Sequence, residues 1–256
     1  MILTDTHTHL YSEQFKDDID QVIQKCKDNG ITKLFLPNID CSSIDGMLAL
    51  EKQYPDTCFP MMGLHPCSVQ ENYLEELKTV EKWLNERKFC AIGEIGIDLY
   101  WDQTFLTQQQ DAFRTQIKWA KERNLPFVIH CRDSFNEIFE IMDELNDEKM
   151  RGIFHCFTGN IEQAKHIINY GSFKIGIGGV VTFKNSGLDK VVEEIGLEHL
   201  VLETDSPYLA PVPFRGKRNE SSYLLSIAEK VADIYQLRME EVASITTQNS
   251  KAVFGF

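Results

Sequence analysis

No stretch of this chain approaches the roughly 20 consecutive apolar residues that a membrane-spanning helix needs. Its N-terminus has no basic segment running into an apolar one, so no signal peptide is expected. The seven cysteines are scattered at 26, 41, 58, 67, 90, 131 and 156, with no CxxC pair. That pattern argues against a disulfide framework or a structural zinc site and fits reduced thiols in a cytoplasmic protein. Positive charge is scarce: 26 Lys and Arg face 39 Asp and Glu, a net charge of −13. That balance argues against a broad basic surface that grips nucleic acid indiscriminately. It does not argue against a phosphate held locally by bound cations and a few arginines, because ions can reverse the sign of a site. Also missing is a GxGxxG turn after the first apolar segment, where THTHLYS stands instead, which argues against a dinucleotide-binding doubly wound sheet. No linker or low-complexity tract divides the 256 residues, so residues 1–256 are expected to form one domain.

What is present is a repeat of apolar, β-branched segments, each followed by an amphipathic stretch, at intervals of about 30 residues. The strand candidates are 2–7, 33–39, 58–64, 89–97, 126–131, 152–157, 172–179 and 200–205. Between them, 15–30 reads as a helix on the three- and four-residue spacing of Ile19, Val22, Ile23 and Cys26, with Gly30 as its stop. Further helices are expected over 108–124, 134–147 and as a pair within 220–252. Strand–helix alternation with short connections implies parallel strands and right-handed crossovers. Eight such units in a chain of this length predict an α/β fold, a single (β/α)8 TIM barrel.

Barrel enzymes carry their chemistry at the C-terminal ends of the strands. His7 and His9 close the first expected strand, His65 the third, His130 the fifth and His155 the sixth. Glu94 lies near the end of the fourth and Asp205 at the end of the eighth. Five of the seven histidines thus fall on one rim; only His166, within a helix, and His199, at the opposite rim, do not. Asp5, His7 and His9 alternate as residues on one face of a strand do, and two imidazoles so placed can converge on one ion. Each residue has an ordinary reading too. His-x-His occurs as a surface pair, His130 could be a core imidazole, Asp205 could cap a turn and Glu94 could pair with an arginine. A pair of metal ions accounts for all of them together. Strand parity that points His130 and His155 into the barrel mouth sends Cys131 and Cys156 outward under the helices, as packing groups.

Taken as a set, DTHTHL, GLHP, GEIGID, HCRD, HCFTG, ETDSPYLAP and GKRNE resemble the TatD family of metal-dependent deoxyribonucleases, a branch of the amidohydrolase-like barrels. The resemblance runs from Asp5 to about Glu220 with the motifs in the family's order. It implies two divalent cations per chain, with His7, His9 and Asp205 on one, His130 and His155 on the other, and Glu94 bridging. His65 matches a family histidine that contacts substrate, and Asp205 would serve as general base. Nitrogen-rich donors suit Zn²⁺, Mn²⁺, Fe²⁺ or Co²⁺ better than Mg²⁺, although the family is often assayed with Mg²⁺. The family usually has a proline after GKRNE; here Ser221 follows, where a proline would only start a helix.

The implied function is a cytoplasmic deoxyribonuclease or phosphodiesterase acting on DNA ends as an exonuclease, on single strands or on a small phosphodiester, with no membrane or obligate protein partner. Arg215, Lys217 and Arg218, after the eighth strand, and Arg132, two residues past His130, are the candidate phosphate contacts; the loop at 213–220 reads equally as a solvated one. Tyr100 and Trp101 could stack on an unpaired base or pack the rim. Two alternatives remain: hydrolysis of carboxylic esters or amides, such as aminoacyl-tRNA deacylation, on the same metals, and a non-catalytic metal-binding scaffold.

Overall fold

Eight parallel strands alternate with helices: β1 Leu3–Asp5, β2 Ile31–Leu36, β3 Cys58–Pro60, β4 Ile92–Asp98, β5 Phe127–Arg132, β6 Gly152–Phe154, β7 Phe173–Ile177 and β8 Leu200–Leu202. They pair in sequence order as a three-stranded and a five-stranded sheet. Single parallel bridges join the two sheets, Met62 to Ile92 between β3 and β4 and Thr8 to Ser206 between β8 and β1. The result is a (β/α)8 barrel, in this computed structural model of residues 1–256. All eight expected strands are present, but most are shorter. β1, β6 and β8 stop before His7, His155 and Asp205, which therefore lie just beyond the hydrogen-bonded ladder.

The first helix, α1, spans Ile19–Asp28, and Gly30 at φ 74° turns the chain into β2. A Cβ at Gly30 would sit 2.4 Å from the carbonyl oxygen of Met1, so both conformation and space demand glycine there. Next come α2 (Ile44–Gln53), α3 (Tyr73–Glu86), α4 (Leu106–Arg123), α5 (Phe135–Leu145), α6 (Ile161–Asn169), α7 (Leu188–Glu194), α8 (Leu224–Tyr235) and α9 (Met239–Phe254).

Side-chain parity builds two cores. Leu34, Leu36, Phe127, Ile129, Phe154 and Phe173 face outward into the large cluster under the helices. Each fully buried phenylalanine there contributes about 2–3 kcal/mol. Phe35, Met61, Val128, Ile153 and Val201 face inward, and Val253 of α9 reaches the same cluster. The ring of Phe254 stacks on Phe35 at 3.9 Å between centroids, so the last helix plugs the barrel floor. Two residues further along β5, β6 and β8 from that inner layer stand His130, His155 and Glu203, and then Asp205. The polar site is thus the next inward-facing layer above an apolar one. β4 needs an irregularity to join it. Its pairing with β5 shifts between Ile92 and Ile95, which turns Glu94 rather than Gly93 inward. Gly96, two residues on, has φ 146°, and a Cβ there would lie 2.0 Å from the carbonyl oxygen of His130.

Candidate metal centre

Glu94 is 2% exposed and organises everything around it. Its Oε2 faces His7 Nε2 at 3.1 Å and His9 Nε2 at 3.6 Å, and Asp205 Oδ1 lies 3.7 and 3.6 Å from the same two nitrogens. His7 and His9 bring their Nε2 atoms 3.3 Å apart. Its Oε1 faces His130 Nδ1 at 2.8 Å, His155 Nε2 at 2.7 Å and His65 Nε2 at 3.3 Å. His130 and His155 are 3.5 Å apart through these atoms, and the rings of His7 and His155 stack at 3.8 Å. One carboxylate therefore holds two separate donor sets, one on each oxygen. Ligand bonds of about 2.1 Å in a tetrahedron put neighbouring donors ~3.4 Å apart, which is the spacing seen here. The residues fit divalent cations.

At His9, His130 and His65, hydrogen bonding at one ring nitrogen fixes which nitrogen offers a lone pair. Tyr11 gives its hydroxyl hydrogen to the Pro37 carbonyl, so it accepts from His9 Nδ1 at 2.7 Å and leaves Nε2 bare. Asp98 Oδ2 takes the His130 Nε2 hydrogen at 2.8 Å and leaves Nδ1 bare. His65 is the reverse. Its Nδ1 accepts from the Cys67 backbone N–H at 3.0 Å, so a neutral ring carries its proton on Nε2. It reaches the second donor set as a hydrogen-bond donor. Buried His7 Nδ1 has no partner. Burial alone would raise Glu94, but the imidazoles of His155, His65 and His7 hold it well below the usual carboxylate range. Burial opposes ionisation of Asp205 as well, and His9, His155 and His7 more than offset it.

Above the centre opens a cavity of about 1350 Å³. His9, His65, Glu94, His130, His155 and Asp205 all border it, and so does Arg132. Asp133, Cys156, Asp205 and Leu209, four of the six non-glycine residues with positive φ, sit on its wall. The other two, Asn124 and Gln236, cap helix C-termini. Backbone strain is concentrated at the mouth.

Several expectations need correction. Asp5 does not share a face with His7 and His9. β1 ends at Asp5, whose carboxylate accepts from Thr204 N (2.9 Å) and Thr204 Oγ1 (2.6 Å), and burial pushes it up to about 7. Cys156 is not under the helices but on the cavity wall, while Cys131 packs against the outer core as expected and also borders the cavity. Burial, reinforced by Asp205 and Glu203, drives the Cys156 thiol far up, which leaves it no nucleophile. Ser221 is more than a missing proline, since its hydroxyl pairs with Thr8 Oγ1 at 3.0 Å. The basic loop stays away from the cavity. Arg215 lies over the Phe183 ring at 3.7 Å, Lys217 is exposed, and Arg218 grips Asp18 through both oxygens at 2.8 and 2.6 Å. Arg218→Ala should cost about 1 kcal/mol, because the pair is partly solvated, and lower Tm by about 2–4 °C. Its KM for an oligonucleotide should not change; a raised KM with an unaltered melt would restore the loop as a substrate contact.

Two carboxylates escaped the sequence reading although both lie in quoted motifs. Asp98 of GEIGID is four residues past Glu94 and shares its strand face. Glu203 of ETD is fully buried two residues before Asp205, with Oε1 3.5 Å from His155 Nδ1. Strand parity was the available signal for both. Asp98→Ala should weaken cation affinity by about 10–100-fold, read by competition with a chelator, because His130 loses the partner that sets its tautomer.

The chain as a whole has counterparts among known proteins. The model of TatD-related DNases matches residues 4–255. An uncharacterized metal-dependent hydrolase of Bacillus subtilis, YabD, is 39% identical over 99% of both chains. A second, YcfH of Escherichia coli, is 31% identical over 99% of this chain and 96% of its own. The crystal structure of the Escherichia coli TatD homologue YjjV superposes with a TM-score of 0.93 at 27% identity, covering 99% of this chain and 98% of that one. A barrel with this donor arrangement, matched from end to end by hydrolases that depend on metals, belongs to the TatD-related DNase family.

Proposed function

We propose that this chain is a cytoplasmic, metal-dependent phosphodiesterase that removes nucleotides from single-stranded DNA ends, with two divalent cations on the donors around Glu94. The observation that carries the reading is that the two oxygens of Glu94 each face a separate cluster of imidazoles. His7, His9 and Asp205 would hold one ion and His130 and His155 the other. The ions would supply the positive charge that polarises a phosphoryl oxygen and acidifies a water at neutral pH. Zn²⁺, Mn²⁺, Fe²⁺ and Co²⁺ suit these donors better than Mg²⁺.

The chain's own residues do the rest. Asp205, ionised and bordering the cavity, accepts the proton of the attacking water. His65 offers an Nε2 hydrogen to a phosphoryl oxygen, held in that tautomer by the backbone of Cys67. Arg132 is the single Lys or Arg side chain on the cavity wall and suits a non-bridging phosphate oxygen. Seven free cysteines agree with a reducing compartment.

The test is purification without added metal, elemental analysis, and hydrolysis of a single-stranded oligonucleotide beside an aminoacyl ester, before and after chelation and metal add-back. Metal-restored nucleotide release with inert ester supports the proposal. Turnover of the ester alone would assign the same centre to carboxylic-ester hydrolysis, and no turnover of either with tightly held ions would leave a scaffold.

A further inference from the structure

The chain has sixteen phenylalanines, eight tyrosines and three tryptophans. Only Tyr100, Trp101 and Tyr208 are exposed, at 54%, 70% and 50%. All three border the one cavity over the donor cluster. Packing gives them no reason to be there, since an exposed ring forfeits the burial that stabilises aromatic side chains elsewhere.

Their supports differ. Trp101 follows β4 by three residues, and its backbone N–H and that of Tyr100 donate to Asp98 Oδ1 at 3.2 and 3.0 Å. The other oxygen of Asp98 holds His130, so this turn is fixed to the second donor set. Trp101 stands edge-on to Tyr100 at 87°, and the Arg132 guanidinium covers Tyr100 at 3.8 Å. Tyr208 follows β8, four strands away around an eight-stranded ring and so across the mouth. Its ring rests against His9 of the first donor set, 6.1 Å between centroids. The next residue, Leu209, is 43% exposed in the left-handed region at φ 51°, a costly conformation for a leucine.

We propose that Trp101 and Tyr208 are stacking platforms on either side of the cleaved bond, each taking one unpaired base, with Arg132 on a phosphate at the Trp101 side. The inference rests on the phosphodiesterase reading and deepens it. The chain would recognise its substrate by aromatic faces and backbone charge, on both sides of the cut, with no dependence on base identity. A duplex keeps its bases stacked on each other and cannot offer them to both platforms.

Wild type, Trp101→Ala and Tyr208→Ala would each be given oligonucleotides that are intact or lack the base on one side of the cleaved bond. In wild type, loss of either base should raise KM roughly tenfold. Each variant should raise KM for the intact strand by a similar factor and become indifferent to base loss on its own side only, with the effect on KM rather than kcat. Arg132→Ala should flatten the salt dependence of log KM by about 0.7. Variants that respond to both missing bases as wild type does would overturn the platforms while leaving the hydrolase reading intact. Binding is read separately by tryptophan emission, titrated with the same strand in chelator. Quenching in wild type that Trp101→Ala abolishes supports the platform even if no strand is cleaved, whereas absence of quenching and of cleavage defeats both.

Discussion

Glu94→Gln should lower hydrolysis by at least about 10³-fold and leave the purified chain unable to hold two ions. The side chain keeps its shape, but one carboxylate oxygen becomes an amide nitrogen with two hydrogens, facing either His7 and His9 or His130 and His155. A hydrogen-bearing group cannot ligate, and the buried negative charge that partners the ions is gone. Several kcal/mol of stabilisation lost from a charged transition state, at ~1.4 kcal/mol per tenfold, gives that factor. Metal-to-protein ratio and oligonucleotide turnover, with circular dichroism to establish folding, measure it. Two ions per chain and activity within tenfold of wild type would remove Glu94 from the bridging position.

Asp205→Asn tests the proton acceptor with little disturbance of the backbone. The residue has φ 54°, a region that asparagine occupies at least as readily as aspartate, so the backbone turn after β8 should persist. What disappears is the ability to take a proton, together with the negative charge that Asp205 would bring to the first ion. Loss of a positioned general base costs about 10²–10⁴-fold in rate. Rapid-quench or steady-state kcat at saturating metal and substrate is the measurement. A variant that keeps most of its kcat would shift the role to another group. If ions are lost as well, Asp205 acts first as a ligand.

The strand count was legible because each strand carries a run of apolar residues, and the rim histidines because their spacing matches strand ends. Parity carried further than motifs alone: from Val128 and Ile153 it places His130 and His155 inward, as found. Local pattern failed where long-range contacts decide. The shift in β4 pairing that turns Glu94 inward depends on β5, more than 30 residues downstream. Arg218 looks like a phosphate contact until Asp18, 200 residues away in sequence, takes both of its free nitrogens. Asp5 departs from the alternation because Thr204, on the far side of the chain, offers it two hydrogens. Helices α2, α3, α6 and α7 were not placed in advance.

The two bridges that complete the ring of strands have a mechanical meaning. His7, His9 and His65 belong to the three-stranded part, whereas Glu94, His130, His155 and Asp205 belong to the five-stranded part. The first donor set therefore draws on both sides of the seam between β8 and β1, which backbone hydrogen bonds from Thr6, His9 and Asp205 also cross. An ion seated among them would act as a rivet through two overlapping plates, and since the unfolded chain offers no such seat, occupancy adds directly to folding free energy. Stripping the ions should loosen the staves of the barrel at Thr8–Ser206 before anything else, with amide exchange fastest along that line.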